Sequence, residues 1–385
     1  MNPFNPSKLA SALPPMVVGR SMEVARVSEI LRSDGDFLLT GVPGVGRRTL
    51  VRSAAQQVGA RVVEIDCLRA TDYGRFLQLL SDAILYVFSR PMELSLIQRW
   101  IEPYSLVLDT SSTGRAKLLS QFAAVSPGQQ MGQQIGQQMG PMSGDRYWEI
   151  FRVLLSLPQR LAEAMDCRVV LMFQNFPHLR SWDRSGKWEH YLRQEIQLQT
   201  RVSYAIIATV AQKWDEQEEM EAMFLSPVAD ADLRSWLLAS MRQVELSLDQ
   251  DAIQLVLDTV QGHFGDAIAL SRRIWLEHRG GVSAQVRSHQ VYRSSVSLIE
   301  DLSVTFESLI LLLPSTQVRL LESLALDPTP RPHAKEYVQK HQLSRGGTLQ
   351  GALSSLEHKG LIYGADRGYQ IALPMLGLWL RYRLG

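Results

Sequence analysis

Apolar positions along the chain predict alternating strands and helices in its first half and helices almost alone in its second. Val24, Val27, Ile30 and Leu31 recur at helical spacing and predict an amphipathic helix over 21–32. The run Phe37-Leu38-Leu39-Thr40 is short and continuous, as a buried strand is, and a glycine-rich segment over 41–46 follows at once. A helix from Arg47 turns Leu50, Val51 and Ala54 inward, and 61–65 reads as a second strand. This strand-loop-helix-strand order predicts a parallel sheet. Residues 68–126 read as mainly helical, broken at Pro91 and Pro103. A helix over 147–165, a strand over 169–173, a helix over 188–199, a strand over 204–209 and an edge strand at Met223-Phe224-Leu225 complete the α/β domain, placed at 17–228. The acidic stretch Asp215, Glu216, Glu218, Glu219, Glu221 reads as a solvated helix face.

Beyond it the pattern predicts a helical lid over 229–290, a helical connector over 291–313 and a last domain over 314–385. In that domain three helices, over 317–325, 334–341 and 348–358, precede Gly360-Leu361-Ile362-Tyr363 and Tyr369-Gln370-Ile371. A helix that ends on glycine and runs into two short strands around the tip 364–368 predicts a winged helix. Two segments stand apart. Residues 1–16, rich in Pro, Asn and Ser, read as an extended lead-in. Within 127–144 a Gly-Gln-Gln-apolar repeat places glycine at every fourth position, which costs a helix about 1 kcal/mol each time. It reads as a solvated loop, with a partner-binding segment as the alternative.

Composition narrows the class. The 385 residues allow two or three domains, and 45% hydrophobic with 21% charged content is that of a globular protein with a core. No apolar run is long enough to span a bilayer and no basic-then-apolar segment opens the chain, so a cytoplasmic protein is expected. Cys67 and Cys167 are too few for a disulfide framework and read as buried thiols. The net charge is +1, but the stretch from Arg331 onward carries eight basic against three acidic residues. That local excess is the feature a polyanion would sense.

The segment Gly41-Val42-Pro43-Gly44-Val45-Gly46-Arg47-Arg48-Thr49 lies between a buried strand and a helix, the setting of a phosphate-binding loop. Glycines at 41, 44 and 46 let backbone N–H groups turn toward a phosphate, and the following helix N-terminus adds partial positive charge. Arg47 occupies the lysine position and Arg48 the hydroxyl position that would ligate magnesium. Thr49 comes one residue late, which on a helix rotates it by about 100°. A guanidinium is a planar fork where lysine is a point charge. Two readings follow: arginines that hold ATP or ADP without metal, or an inherited turn with no ligand. The strand over 169–173 ends in Gln174-Asn175, where a phosphoryl-transfer site needs one acid for magnesium and one to orient water. Amides do neither, so hydrolysis and a magnesium site are not expected.

With these residues in place the chain resembles the archaeal-type ATPases, a branch of the STAND/AAA+ P-loop group related to origin-recognition proteins. Val17-Val18-Gly19-Arg20 followed by Glu23 is similar to the family's box near the adenine, and Phe4 and Pro6 fit a lead-in seen in some members. GVPGVGRRT stands at the Walker A position and VVLMFQNF at the Walker B position. The resemblance implies an α/β fold with a helical lid and a C-terminal winged helix. It also implies a polar γ-phosphate sensor at Thr209 and a lid turn at Gly262-His263-Phe264 leading to candidate sensor arginines Arg272 and Arg273. Arg193 and Arg201 are the candidates for action across a subunit boundary in a homo-oligomer.

A winged helix often lays its third helix in the major groove and its wing on the backbone. Here Arg345, Thr348, Gln350, Ser354 and Ser355 would face bases, with Lys359 and Arg367 on phosphates. Three functions remain open: a non-hydrolysing adaptor that binds DNA and recruits proteins, a protein-binding scaffold without nucleotide or DNA, and an atypical active ATPase using Arg47 and Arg48.

Overall fold

A computed structural model describes residues 17–109, 116–120, 144–196, 199–210, 220–278 and 285–385. The lead-in over 1–16, the glycine-glutamine repeat and Asp215, Glu216, Glu218 and Glu219 lie outside the described residues. The first half alternates strands and helices in the order α1 (Ser21–Arg32), β1 (Phe37–Thr40), α2 (Arg47–Gln57), β2 (Arg61–Asp66), α3 (Tyr73–Val87) and α4 (Pro91–Ile101). An antiparallel pair, β3 (Leu106–Asp109) and β4 (Lys117–Ser120), follows. Then come α5 (Gly144–Ala164), β5 (Val169–Gln174), α6 (Lys187–Ile196), β6 (Val202–Ala208) and β7 (Glu221–Phe224).

Five strands form one parallel sheet in the order β2-β5-β6-β1-β7. β1 and β6 are buried along their whole length, as strands covered on both faces must be. On one face α1 and α2 bury Val24, Leu31, Leu50 and Val51 against Phe37, Leu39 and Ile207. On the other, α3, α5 and α6 bring Phe76, Phe151 and Trp188 onto Phe173 and Tyr204. Because all five strands are parallel, β1, β5 and β6 end at the same edge, where ligands of open α/β sheets bind.

Two expectations are corrected. The segment expected to be helical over 68–126 contains the β3–β4 pair, whose four-residue apolar runs are too short for periodicity to separate strand from helix. Glu221, expected on a solvated helix face, opens the edge strand β7 and bonds the Arg26 guanidinium at 2.7 Å through both carboxylate oxygens.

The second half comprises α7 (Asp230–Arg242), β8 (Ser247–Leu248), α8 (Gln250–Val260), α9 (Phe264–His278), β9 (Gln285–Val286) and the 24-residue α10 (Ser288–Leu311). α11 (Ser315–Leu326), α12 (Lys335–Lys340), α13 (Gly347–His358) and α14 (Pro374–Leu384) follow. Between α13 and α14 the wing is tied by an Ile362–Ile371 bridge, with Tyr363 N–H on the Gln370 carbonyl at 2.8 Å and Ala372 N–H on that of Leu361 at 2.9 Å. One apolar cluster runs through the lid and the winged helix, from Leu237 and Ile253 through Ile299 to Leu320, Leu376 and Trp379. No helix among the described residues is long and apolar enough to cross a membrane.

At the sheet edge away from the phosphate loop, Asp36 accepts the Tyr204 N–H at 2.7 Å. Burial pushes its carboxyl up to about 7, although that N–H pulls the other way. In the unfolded chain the group ionises near 4. The folded state therefore holds the neutral form, and its stability falls as pH rises from about 4 through 7. Asp36→Asn keeps the acceptor and removes the charge. Its unfolding free energy from urea titration should exceed that of the native chain at pH 8, by roughly 1–3 kcal/mol, and match it at pH 4; equal values at pH 8 would refute the assignment.

Candidate functional site

The phosphate loop leaves β1 at Thr40 and turns through three glycines that all have positive φ, Gly41 at +147°, Gly44 at +89° and Gly46 at +98°. A Cβ on Gly41 would stand 2.9 Å from the Leu225 carbonyl, and one on Gly44 2.4 Å from the His263 ring, whereas Gly46 has open space around it. Gly46 is the N-cap of α2 and has no side chain to cap the first-turn N–H groups. Those groups and the helix dipole make a local site of positive potential.

Arg47 donates from Nη1 to the Ala208 carbonyl at the end of β6 (2.6 Å), so its side chain crosses from the loop to the neighbouring strand. Burial pushes its guanidinium down to about 10. Arg48 bonds Glu64 of β2 at 2.7 Å, and Arg52, one turn on, bonds the other oxygen of the same carboxylate. Thr49 is half-buried on α2.

The acids near this edge come from β2. Glu64 and Asp66, two residues apart and so on one face of their strand, stand opposite Met172 and Gln174 of β5. Asn175, in the left-handed region at φ +53°, donates from Nδ2 to Asp66 at 3.0 Å, and Gln174 Nε2 lies 3.4 Å from Glu64. The alternation in Arg61-Val62-Val63-Glu64-Ile65-Asp66 was the available signal, but which strand lies beside β5 is a tertiary fact. Among the described residues no group of three His, Cys, Asp or Glu side chains is placed to share a metal ion.

The box at Val17–Arg20 is pinned to the lid: a Cβ on Gly19, at φ +63°, would meet the Asp232 carboxylate. Arg20, 5% exposed, donates to Glu23 at 3.1 Å and to the Ser226 carbonyl, while its buried Nε has no partner among the described residues. The lid turn brings His263 onto the loop. Its Nε2 is 2.7 Å from the Pro43 carbonyl, its Nδ1 is 3.2 Å from Asp266, and the Gly265 N–H donates to the Gly44 carbonyl at 3.0 Å. Burial opposes a charge on this imidazole, but Asp266 and the Pro43 carbonyl outweigh it and leave the pKa raised.

Of the sensor candidates, Thr209 accepts the Gly41 N–H at 3.2 Å. Arg273 is paired with Asp301 of α10, and Arg272 is exposed. Arg193 is paired with Glu189 at 2.7 Å in a mostly buried position. Arg201 pairs with Asp166 at 2.6 Å just before β6, at the edge of the sheet opposite the phosphate loop.

In the winged helix Arg345, Thr348 and Gln350 are exposed around the start of α13, and Ser354 is half-buried. Lys359 bonds Gln317 at 2.8 Å and Ser355 at 2.9 Å. Arg367 bonds the Ser226 hydroxyl at 2.9 Å and lies 4.3 Å over the Phe224 ring, so the wing leans on the sheet domain. At the helix-wing corner Gly360, at φ +72°, fits where a Cβ would be 2.7 Å from Pro43 and 2.9 Å from Thr209.

Two loop glycines should therefore respond differently to a methyl group. Gly46→Ala meets only the left-handed backbone cost, about 1–2 kcal/mol. Gly44→Ala adds overpacking against His263, about 1–3 kcal/mol more. Chemical denaturation of both variants measures the difference, and equal losses would show that the His263 contact is not tight.

A family described as a probable winged helix domain matches residues 304–382. No curated protein sequence matches the chain. The fold is similar to that of a Walker-type ATPase of Pyrococcus abyssi, with a TM-score of 0.62 at 16% identity over 95% of this chain and 96% of that one. It is also similar to the ORC2 protein of Aeropyrum pernix in its ADP form, with a TM-score of 0.51 at 12% identity over 99% and 98% of the two chains. The chain thus has an AAA+-like ATPase fold, a five-stranded parallel sheet followed by a helical region and a C-terminal winged helix.

Proposed function

We propose that this chain is an ATPase-like adaptor. It holds ADP or ATP at its phosphate loop without hydrolysing it, engages DNA through the winged helix, and recruits protein partners in a larger assembly. The observation that carries the reading is the set of groups at the end of the sheet. Arg48 is committed to Glu64, and Gln174 and Asn175 stand where β5 would offer acids. Uncapped first-turn N–H groups at Arg47–Thr49 remain to receive a phosphate. The arginines supply positive charge without a divalent ion, while no carboxylate of β5 is there to orient water. The Aeropyrum protein's ADP form agrees with a diphosphate-bound resting state for this fold.

For DNA, the exposed Arg345, Thr348 and Gln350 form the available face, and the basic excess after Arg331 supplies a modest long-range attraction. Lys359 and Arg367 are engaged within the chain, which favours base-side contacts near Arg345 over backbone contacts from the wing. The same engagement, with Leu311 and Leu312 each 84% exposed at the end of α10, is what favours the alternative of a pure protein-binding scaffold.

ADP or ATP should raise the melting temperature equally with Mg²⁺ and with EDTA, and phosphate release should stay at background. A shift seen only with Mg²⁺, or release that falls in Arg47→Ala/Arg48→Ala, would favour the active-ATPase alternative. Duplex DNA should be retained at low salt and lost steeply as salt rises. Arg345→Glu should weaken it several-fold; retention that ignores this change would favour the scaffold.

A further inference from the structure

The C-terminal half of α10 carries apolar side chains on both of its faces. Leu302, Phe306, Leu309, Ile310 and Leu313 are half-buried against the common core of lid and winged helix. On the opposite face, where a surface helix turns polar, Val304 is 73% exposed and Leu311 and Leu312 are each 84% exposed. With Ser308 these residues follow the i, i+4, i+7, i+8 spacing that lines one stripe of a helix. An uncovered apolar stripe of this kind marks an interaction site.

Charge indicates what covers it. Glu307 is the sole charged residue between Asp301 and Arg319. It stands two helical turns after Glu300, so the two carboxylates lie along one border of the stripe. Both are exposed, and neither has a cationic partner among the described residues. Glu300 accepts the Tyr382 hydroxyl at 3.3 Å and Glu307 accepts that of Ser303 at 3.3 Å. A helix has no free backbone edge, so an extended strand finds nothing to pair with. The carboxylates repel a nucleic-acid backbone. Two copies of the stripe packed antiparallel about Ser308 would bring Glu307 against Glu307, like charge on like charge. A helix whose apolar stripe is bordered by cations fits on all these counts.

We propose that the C-terminal half of α10 docks an amphipathic helix of a protein partner. The partner's apolar stripe covers Val304, Leu311 and Leu312, and its lysines or arginines, set two turns apart along one border, meet Glu300 and Glu307. The inference rests on the proposed reading that the chain recruits proteins, and it requires neither nucleotide in the loop nor DNA on the winged helix.

Fluorescence anisotropy of the full chain with a labelled amphipathic peptide tests it at physiological salt. The peptide is made of leucine and lysine alone, about 18 residues or five helical turns long, with its leucines on one face. A second peptide has glutamate in place of each lysine. The native chain should bind the leucine-lysine peptide at least about tenfold more tightly than the leucine-glutamate one. Leu311→Ser/Leu312→Ser, at two exposed positions, should weaken that binding about tenfold with no change in melting temperature. Glu300→Lys/Glu307→Lys should reverse the preference between the peptides, which a general attraction to cations does not do. If the leucine-lysine peptide binds and neither pair of substitutions alters it, helix recruitment stands and α10 is the wrong surface. If neither peptide binds the native chain, recruitment of a helix falls and α10 falls with it. If sedimentation shows the native chain dimerising and the leucine variant monomeric, a second copy covers the stripe and the partner helix is wrong.

Discussion

Two guanidinium groups, those of Arg48 and Arg52, converge on the single carboxylate of Glu64, and this triplet sets the charge at the end of the sheet. Asp66, two residues on and on the same face of the strand, adds a second carboxylate, so these two arginines and two acids balance in formal charge. Arg47, drawn to the Ala208 carbonyl, adds another cation in a desolvated position. The arginines at this edge thus exceed the two acids of β2 by the one guanidinium of Arg47.

Much of the sheet domain was legible because its signals are local. The four inward positions of α1, the apolar run of β1, the three glycines and the start of α2 each declare themselves within a few residues, and the structure reproduces them. The same holds for the glycine-terminated α13 and the wing after it. What escaped depends on neighbours distant in the chain. Glu64 and Asp66 gain their place only because β2 lies against β5. Lys359 and Arg367 look like free cations in the sequence, yet one is drawn back to Gln317 and the other across to Ser226. The β3–β4 pair and the two-residue strands β8 and β9 are too short for any periodicity to register.

His263 shows how one residue can belong to three structural levels at once. It follows Gly262, which has positive φ and where a Cβ would stand 2.5 Å from the Val228 carbonyl, so the lid turn takes a path only glycine allows there. It then buries its ring against Gly44, and through Asp266 it reaches α14. Motif resemblance identified the turn, but the role of the ring follows from the absence of a side chain at Gly44.

The common core of lid and winged helix has a mechanical consequence. Leu237, Ile299, Leu320 and Trp379 belong to one packed body, and such interiors deform little under load. The last four helices share that body with the lid helices, so a substitution in the core of either is felt by the packing of the other.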